Sequence, residues 1–444
     1  KFTADITIDL NVIAEVSSVT ETYNRKQNGG KFLAWDSWSA MPYDATTIQT
    51  AIPATLEAGN DYVAQSKSES ITTVVNIYAN YKKQIDKHSF KVLGGFNSEW
   101  QDFSRNYARR NTLLDKSKPE FNLAVGEQFV SGSANTSLNP AETTYSIAGF
   151  FARVNYDYNG IYLLELNARY DGSSKFPTNE QWGFFPSASV GYKIVNEKFM
   201  EGTRGWLNDL KLRGSIGSIG NQNVGNNAFL SIMTAKNPSW INSGATIPPS
   251  TNLPTNVDPA LTWEKVMTKD VGIDIKILDM LGASFDWYQR DTKGMLAPGI
   301  TLPGSFGQNA AQTNSGNMRT RGWELSLNFN KNLSENASVF VDVALSDYKS
   351  VITKWNNTSK LLGLVTTTTY PYYDGFEIGQ IWGLTSDRLL QADDVITNNG
   401  KTVNGVDYSK TMVGNFKYGA GDVHYVDLDG DGAITRGAGT ADDH

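Results

Sequence analysis

A two-residue period in side-chain polarity constrains this chain more than any other feature. Residues 322–330 read Gly-Trp-Glu-Leu-Ser-Leu-Asn-Phe-Asn. Trp323, Leu325, Leu327 and Phe329 therefore share one face, and Glu324, Ser326, Asn328 and Asn330 share the other. Successive side chains of a strand point to opposite sides, so this is an amphipathic strand. The pattern recurs. Phe150, Ala152, Val154, Tyr156 and Tyr158 alternate with Phe151, Arg153, Asn155 and Asp157. Asn159-Gly160 follows, a pair that accepts the positive φ of a tight hairpin. The next run sets Tyr162, Leu164, Leu166, Ala168 and Tyr170 against Glu165, Asn167 and Arg169. Leu210/Leu212/Ile216, Val271/Ile273/Ile275/Ile277, Ala283/Phe285/Trp287 and Val339/Val341/Val343/Leu345 repeat it.

Two kinds of connection separate these runs. Asn159-Gly160 and Leu278–Gly282 are short turns. Residues 217–259, 297–317 and 350–412 are long and rich in Asn, Ser, Thr, Gly and Pro. Soluble β-sandwiches rarely carry loops this long, whereas outer-membrane barrels have short turns at one end and long loops at the other. Aromatic residues near strand ends, such as Tyr158, Tyr162, Tyr170 and Trp323, fit interfacial girdles. The pattern alone leaves two readings open, because an apolar face also suits the core of a soluble β-protein. There is no clean internal repeat, and only residues 47–66 suggest a short helix.

Composition excludes several classes. With 39 basic and 46 acidic residues the net charge is −7, which argues against a nucleic-acid partner. Cysteine is absent, so disulfides, thiolate zinc sites and cysteine nucleophiles are excluded. His88, His424 and His444 lie far apart in sequence. No run of 18 apolar residues provides a membrane-spanning helix. No nucleophile motif, phosphate loop or HExxH sequence is present, and no enzymatic activity is expected.

Seven segments, in order, resemble the SusC/RagA family of TonB-dependent transporters. They are 167–177 (Asn-Ala-Arg-Tyr-Asp-Gly-Ser-Ser-Lys-Phe-Pro), 182–192 (Trp-Gly-Phe-Phe-Pro-Ser-Ala-Ser-Val-Gly-Tyr) and 210–222, which includes Gly-Ser-Ile-Gly-Ser-Ile-Gly-Asn-Gln. Leu261-Thr-Trp-Glu264 leading to Val271–Ile275, Asp286–Thr292, Asn314–Glu324 and Gly421–Gly432 complete the set. The segments cover about residues 90–444. The resemblance implies an all-β, transmembrane antiparallel barrel of 22 strands with long extracellular loops. It also implies a plug domain and a TonB box, and neither is recognisable here. Residues 1–444 thus read as one incomplete barrel portion, with the plug, TonB box and final strands absent and both ends cut.

The sharpest local motif is Asp427-Leu-Asp429-Gly-Asp431-Gly-Ala433. Carboxylates at alternate positions followed by Gly match the first half of an EF-hand-like calcium loop, with the Ala433 carbonyl as a further ligand. The twelfth position is Ala438, where such loops place Glu, and Asp442 or Asp443 is the available substitute. A metal-free acidic Asx-turn loop explains the motif as well. No other cofactor is expected. Arg153, Glu165, Asn167, Arg169, Glu324 and Asn328 are expected to face the lumen. The aromatics of 182–186 and Trp323 suit sugar stacking, but suit girdle packing better.

The resemblance implies import of oligosaccharides or peptides across the outer membrane of a Gram-negative bacterium. Energy would come from the TonB–ExbB–ExbD system, and a SusD-like surface lipoprotein would act as lid. Two other readings are a siderophore or cobalamin receptor, and a surface adhesin or scaffold without transport. Apolar strand faces packed between two sheets would favour the last.

Overall fold

The computed structural model describes residues 1–30, 32–35, 55–58, 61–130, 142–233, 235–236, 250–299, 302–335, 337–357, 372–380, 383–412 and 416–435. Its main body is one antiparallel meander. The strands are β1 (Phe2–Thr7), β2 (Leu10–Gly29), β3 (Tyr62–Ile85), β4 (His88–Asn111), β5 (Glu142–Tyr158) and β6 (Tyr162–Ser173). They continue as β7 (Trp182–Lys193), β8 (Leu207–Asn221), β9 (Glu264–Ile277), β10 (Leu281–Pro298), β11 (Gln312–Ser334) and β12 (Ala337–Lys354). Each pairs with the next, and among the described residues β12 does not pair back to β1. The arc is an unclosed barrel wall.

Turn chemistry sets one end of the wall. Asn159 and Gly160 take φ of 55° and 65°, as a tight hairpin requires. Asp86 joins β3 to β4 with φ 53°. Leu278 and Asp279 also have positive φ, which is costly for Leu. Neighbouring bonds hold them: the Leu278 amide donates to the Trp206 carbonyl, and the Asp279 amide to Asn208 Oδ1 at 2.7 Å. The long connections all lie at the opposite end.

Register places the alternating residues in continuous rows. One row is Phe90, Tyr156, Leu164, Val190, Gly214, Val271, Trp287 and Trp323. Another is Leu212, Ile273, Phe285, Leu325 and Leu345. No second sheet covers these rows among the described residues: Val271, Val190 and Leu345 keep 61%, 58% and 51% of their surface exposed. Exposed contiguous apolar surface on this scale belongs in lipid. The sandwich reading fails on this point.

Aromatic belts bound the apolar band. His88, Tyr158, Tyr162 and Tyr192 neighbour one another near the short turns, with Tyr162 and Tyr192 stacked at 5.2 Å. Toward the long loops Phe96 meets Phe150 at 5.2 Å, and Tyr170 stacks on Trp182 at 4.9 Å. Tyr162 and Tyr170 are eight residues apart on β6, about 26 Å along the strand and roughly 20 Å along the membrane normal at the usual tilt. That suits a hydrocarbon layer.

The strands run further than the alternation alone indicates. β8 reaches Asn221, β11 begins at Gln312 and β12 ends at Lys354, so each expected loop gives residues to a strand, although the first runs on to β9 at Glu264. The expected helix over 47–66 is not supported: Thr55–Ala58 and the chain from Tyr62 are strand, and 47–54 lie outside the described residues. Pairing with β2 and β4 overrides local preference there. The loop after β12 is also not uniformly irregular. It contains a small module with β13 (Ser386–Leu389), β14 (Ile396–Thr397), β15 (Thr402–Val403), β16 (Val406–Asp407) and β17 (Val423–Tyr425). Leu390, Val403, Tyr408, Tyr418 and Ile434 form its core.

Candidate functional site

The face opposite the apolar rows is polar and carries the candidate site. On β5 and β6, Arg153 Nε donates to Asn167 Oδ1 at 2.6 Å, and Asn167 Nδ2 donates to Glu165 Oε1 at 2.8 Å. Arg169 grips Asp171 through two bonds of 3.0 and 2.8 Å and lies over the Phe151 ring at 5.6 Å. Arg153, Asn167, Arg169 and Asp171 border a recess of about 460 Å³ shared with Phe185 and Ile219, and Glu165 lines the adjoining recess with Lys91 and Lys211. The four residues expected here from the alternation are therefore brought together.

A second cluster spans β8, β9 and β10. Arg213 Nε and Nη2 donate to Asp274 at 3.1 and 3.2 Å. Nη2 also reaches Ser284 Oγ at 3.0 Å and Asp286 Oδ2 at 2.6 Å, and Nη1 lies 3.9 Å from Asp270. Three carboxylates thus surround one guanidinium. Gly272 makes the space, because a Cβ there would sit 2.8 Å from Arg213 Cζ. Glu324 is the register partner of Asp286, so it adds a carboxylate to this cluster. Asn328 lies apart, filling the space above Gly282. Arg213 is not among the residues expected to face the lumen, although it lies in the family-like segment 210–222. The available signal was parity: Arg213, Asp270, Asp274 and Asp286 all occupy the polar positions of their runs.

The rim at the long-loop end explains other motif residues. Asn314 accepts from the Thr262 amide at 2.9 Å and donates to the carbonyls of Thr262 and Gly294 at 2.9 and 2.7 Å. Trp263 Nε1 donates to the Gln181 carbonyl at 2.7 Å, and its ring packs with Phe176, Phe185 and Leu261. Segment 261–263 is a clamp between β7 and β11. Trp182 and Trp323 both belong to the apolar face, where Trp182 stacks on Tyr170 and Trp323 opposes Trp287. That is girdle packing.

The acidic loop closes the module of β13–β17. Asp427 accepts from the amides of Gly430 and Gly432 at 2.7 and 2.9 Å. Asp429 accepts from the Asp431 amide at 3.1 Å, and Asp431 from the Ala433 amide at 2.7 Å. Gly430 and Gly432 take φ of 74° and 84°. One carboxylate oxygen from each Asp lies within 4.8 Å of the others. Positions Ala438, Asp442 and Asp443 lie outside the described residues. Nearby, the Arg388 guanidinium, Asn404 and the Gln391 amide hold the Asp394 carboxyl well below the usual carboxylate range.

An antiparallel wall with lipid-type and polar faces, belts of aromatics, short turns at one end and long loops at the other is the wall of an outer-membrane barrel. The chain belongs to the family described as TonB dependent receptor-like, beta-barrel, whose model matches residues 7–442. These are outer-membrane proteins. The chain is 31% identical over 294 residues to the TonB-dependent receptor SusC of Bacteroides thetaiotaomicron, covering 64% of this chain and 28% of that protein. A TonB-dependent receptor of Formosa agariphila is 32% identical over 257 residues, 56% of this chain and 23% of that protein. The chain thus spans about a quarter of these relatives. Among solved structures, the RagAB peptide transporter superposes with a TM-score of 0.67 at 20% identity over 96% of this chain and 43% of that one. The family is one of receptors rather than enzymes.

Proposed function

We propose that this chain forms part of the wall of a SusC-like importer that moves oligosaccharides or peptides across the outer membrane. The observation that carries the reading is the division of one wall into a lipid-type face and a charged face. A scaffold or adhesin has no need of a charged inner wall opposite a lipid-facing one. In this reading Arg153, Glu165, Asn167, Arg169, Glu324 and Asn328 line the lumen, together with Arg213 and its carboxylates. A SusD-like lipoprotein covers the mouth, and the TonB–ExbB–ExbD system supplies energy. The SusC relative and the RagAB fold support this over a siderophore or cobalamin receptor.

The test is uptake by cells expressing the full-length protein with its neighbouring lipoprotein. Labelled oligosaccharide or peptide mixtures should enter only when TonB is present, and a protonophore should stop entry. Entry that persists without TonB would refute the reading. Co-purification of a lipoprotein from native membranes tests the lid.

The reading extends to calcium at Asp427, Asp429, Asp431 and the Ala433 carbonyl. The convergent carboxylates support it. Isothermal titration with Ca²⁺ should show saturable binding in the full-length protein, and Asp429→Asn with Asp431→Asn should abolish it. Equal heats in both would leave the Asx-turn loop as the explanation.

A further inference from the structure

The lipid-type face changes character just beyond Trp287 and Trp323, on the long-loop side. Two residues further along, the register row is Lys269, Gln289, Arg321 and Lys349. Next comes Met267, Asp291, Arg319 and Val351, and then Lys265 opposite Lys293. Six cations thus share the outer face of four adjacent strands with two carboxylates, Asp291 and Asp347, the latter opposite Trp323. Arg319 is paired with Asp291 at 2.6 Å, and Lys349 with Glu377. Arg321 donates through Nε to Gln289 Oε1 at 2.8 Å. Among the described residues, Lys265, Lys269, Lys293 and Arg321 have no ion-pair partner.

The same belt on β2–β5 is built differently. There Lys26 pairs with Glu120 at 2.9 Å, Lys67 sits 3.7 Å from Glu69, and Arg110 shares its face with Asp102 and Glu142. Excess positive charge is therefore local to β9–β12. It is not a general property of the rim.

We propose that this patch binds the phosphorylated headgroup of a glycolipid in the outer leaflet. The position selects the ligand. The patch continues the apolar band, so a molecule with acyl chains against Val271, Trp287 and Trp323 places its headgroup on the lysines. Basic side chains at a membrane surface recognise anionic headgroups. Neighbouring strands are about 5 Å apart and four residues on β9 span about 13 Å, so the unpaired cations fit the footprint of a two-phosphate disaccharide.

The experiment uses the full-length protein in detergent, titrated with lipid A and with lipid A whose phosphates have been removed enzymatically. Lys265→Gln with Lys293→Gln should weaken lipid A binding about twenty-five-fold, near fivefold per cation. Lys26→Gln with Lys67→Gln should leave it unchanged. Wild-type affinity should fall steeply with salt, which tests the idea even if the patch variant does not assemble. Equal binding of dephosphorylated lipid, equal loss in both variants, or equal competition by inorganic phosphate would each overturn the proposal.

Discussion

Arg213 stands among more carboxylates than it can neutralise. It is about 29% exposed and faces Asp274 and Asp286 directly, with Asp270 at 3.9 Å. Removing it leaves like charges facing one another in a half-buried wall. Arg213→Ala should cost about 1–3 kcal/mol, between an exposed and a buried ion pair. Adding Asp286→Asn should recover part of that loss, because it removes one of the stranded charges. Thermal unfolding of the three proteins in detergent checks both statements, and a double variant less stable than Arg213→Ala would contradict the electrostatic account. Gly272 belongs to the same unit, since a side chain there collides with Arg213 and Asp286. Its place in a strand is otherwise unfavourable.

Two elements beyond the band have separate sources of order. The rim clamp of 261–263 depends on Asn314, which makes three bonds to backbone groups. Asn314→Ala leaves those groups unpaired at about 1–3 kcal/mol for each one kept from water. Limited proteolysis should then cut between residues 250 and 263 faster than in wild type, while the strands stay intact. The module of β13–β17 responds to pH instead. The Asp394 carboxyl is held low by Arg388, so its stabilisation is present above the ordinary aspartate range and is lost as pH falls through the folded value. The module should therefore loosen below about pH 4. Hydrogen exchange of 385–434 against pH would show this, and Arg388→Gln should flatten the dependence. A profile unchanged by Arg388→Gln would place the acid sensitivity elsewhere.

At the scale of the whole molecule, the two faces should tolerate charge differently. Ile273 lies inside the apolar band, a row further from the basic rim than Val271, and Ser326 lies on the polar face of β11. Arginine near the middle of a lipid face costs about 2–4 kcal/mol. Ile273→Arg should reduce the heat-stable folded form recovered from outer membranes, whereas Ser326→Arg should not. Equal recovery would mean that the apolar rows do not face lipid.

Local pattern went far with this protein, and the reason is the pleat. Which face a residue takes depends only on its parity within a strand, so Trp323, Leu325 and Phe329 could be placed on one face from sequence. Turns such as Asn159-Gly160 could be placed from backbone chemistry. Parity also put Arg153 and Asn167 on the polar face. It did not reveal that Arg213 meets Asp274 and Asp286, which are 61 and 73 residues away in the chain. Nor did it align Lys265 with Lys293, or close the module after β12 around Tyr408 and Ile434. Those meetings depend on register across strands, fixed by distant turns and bulges and by the pairing of the entire wall. The sequence by itself determined what kind of surface each strand presents. Only the tertiary structure decided which charges share a site.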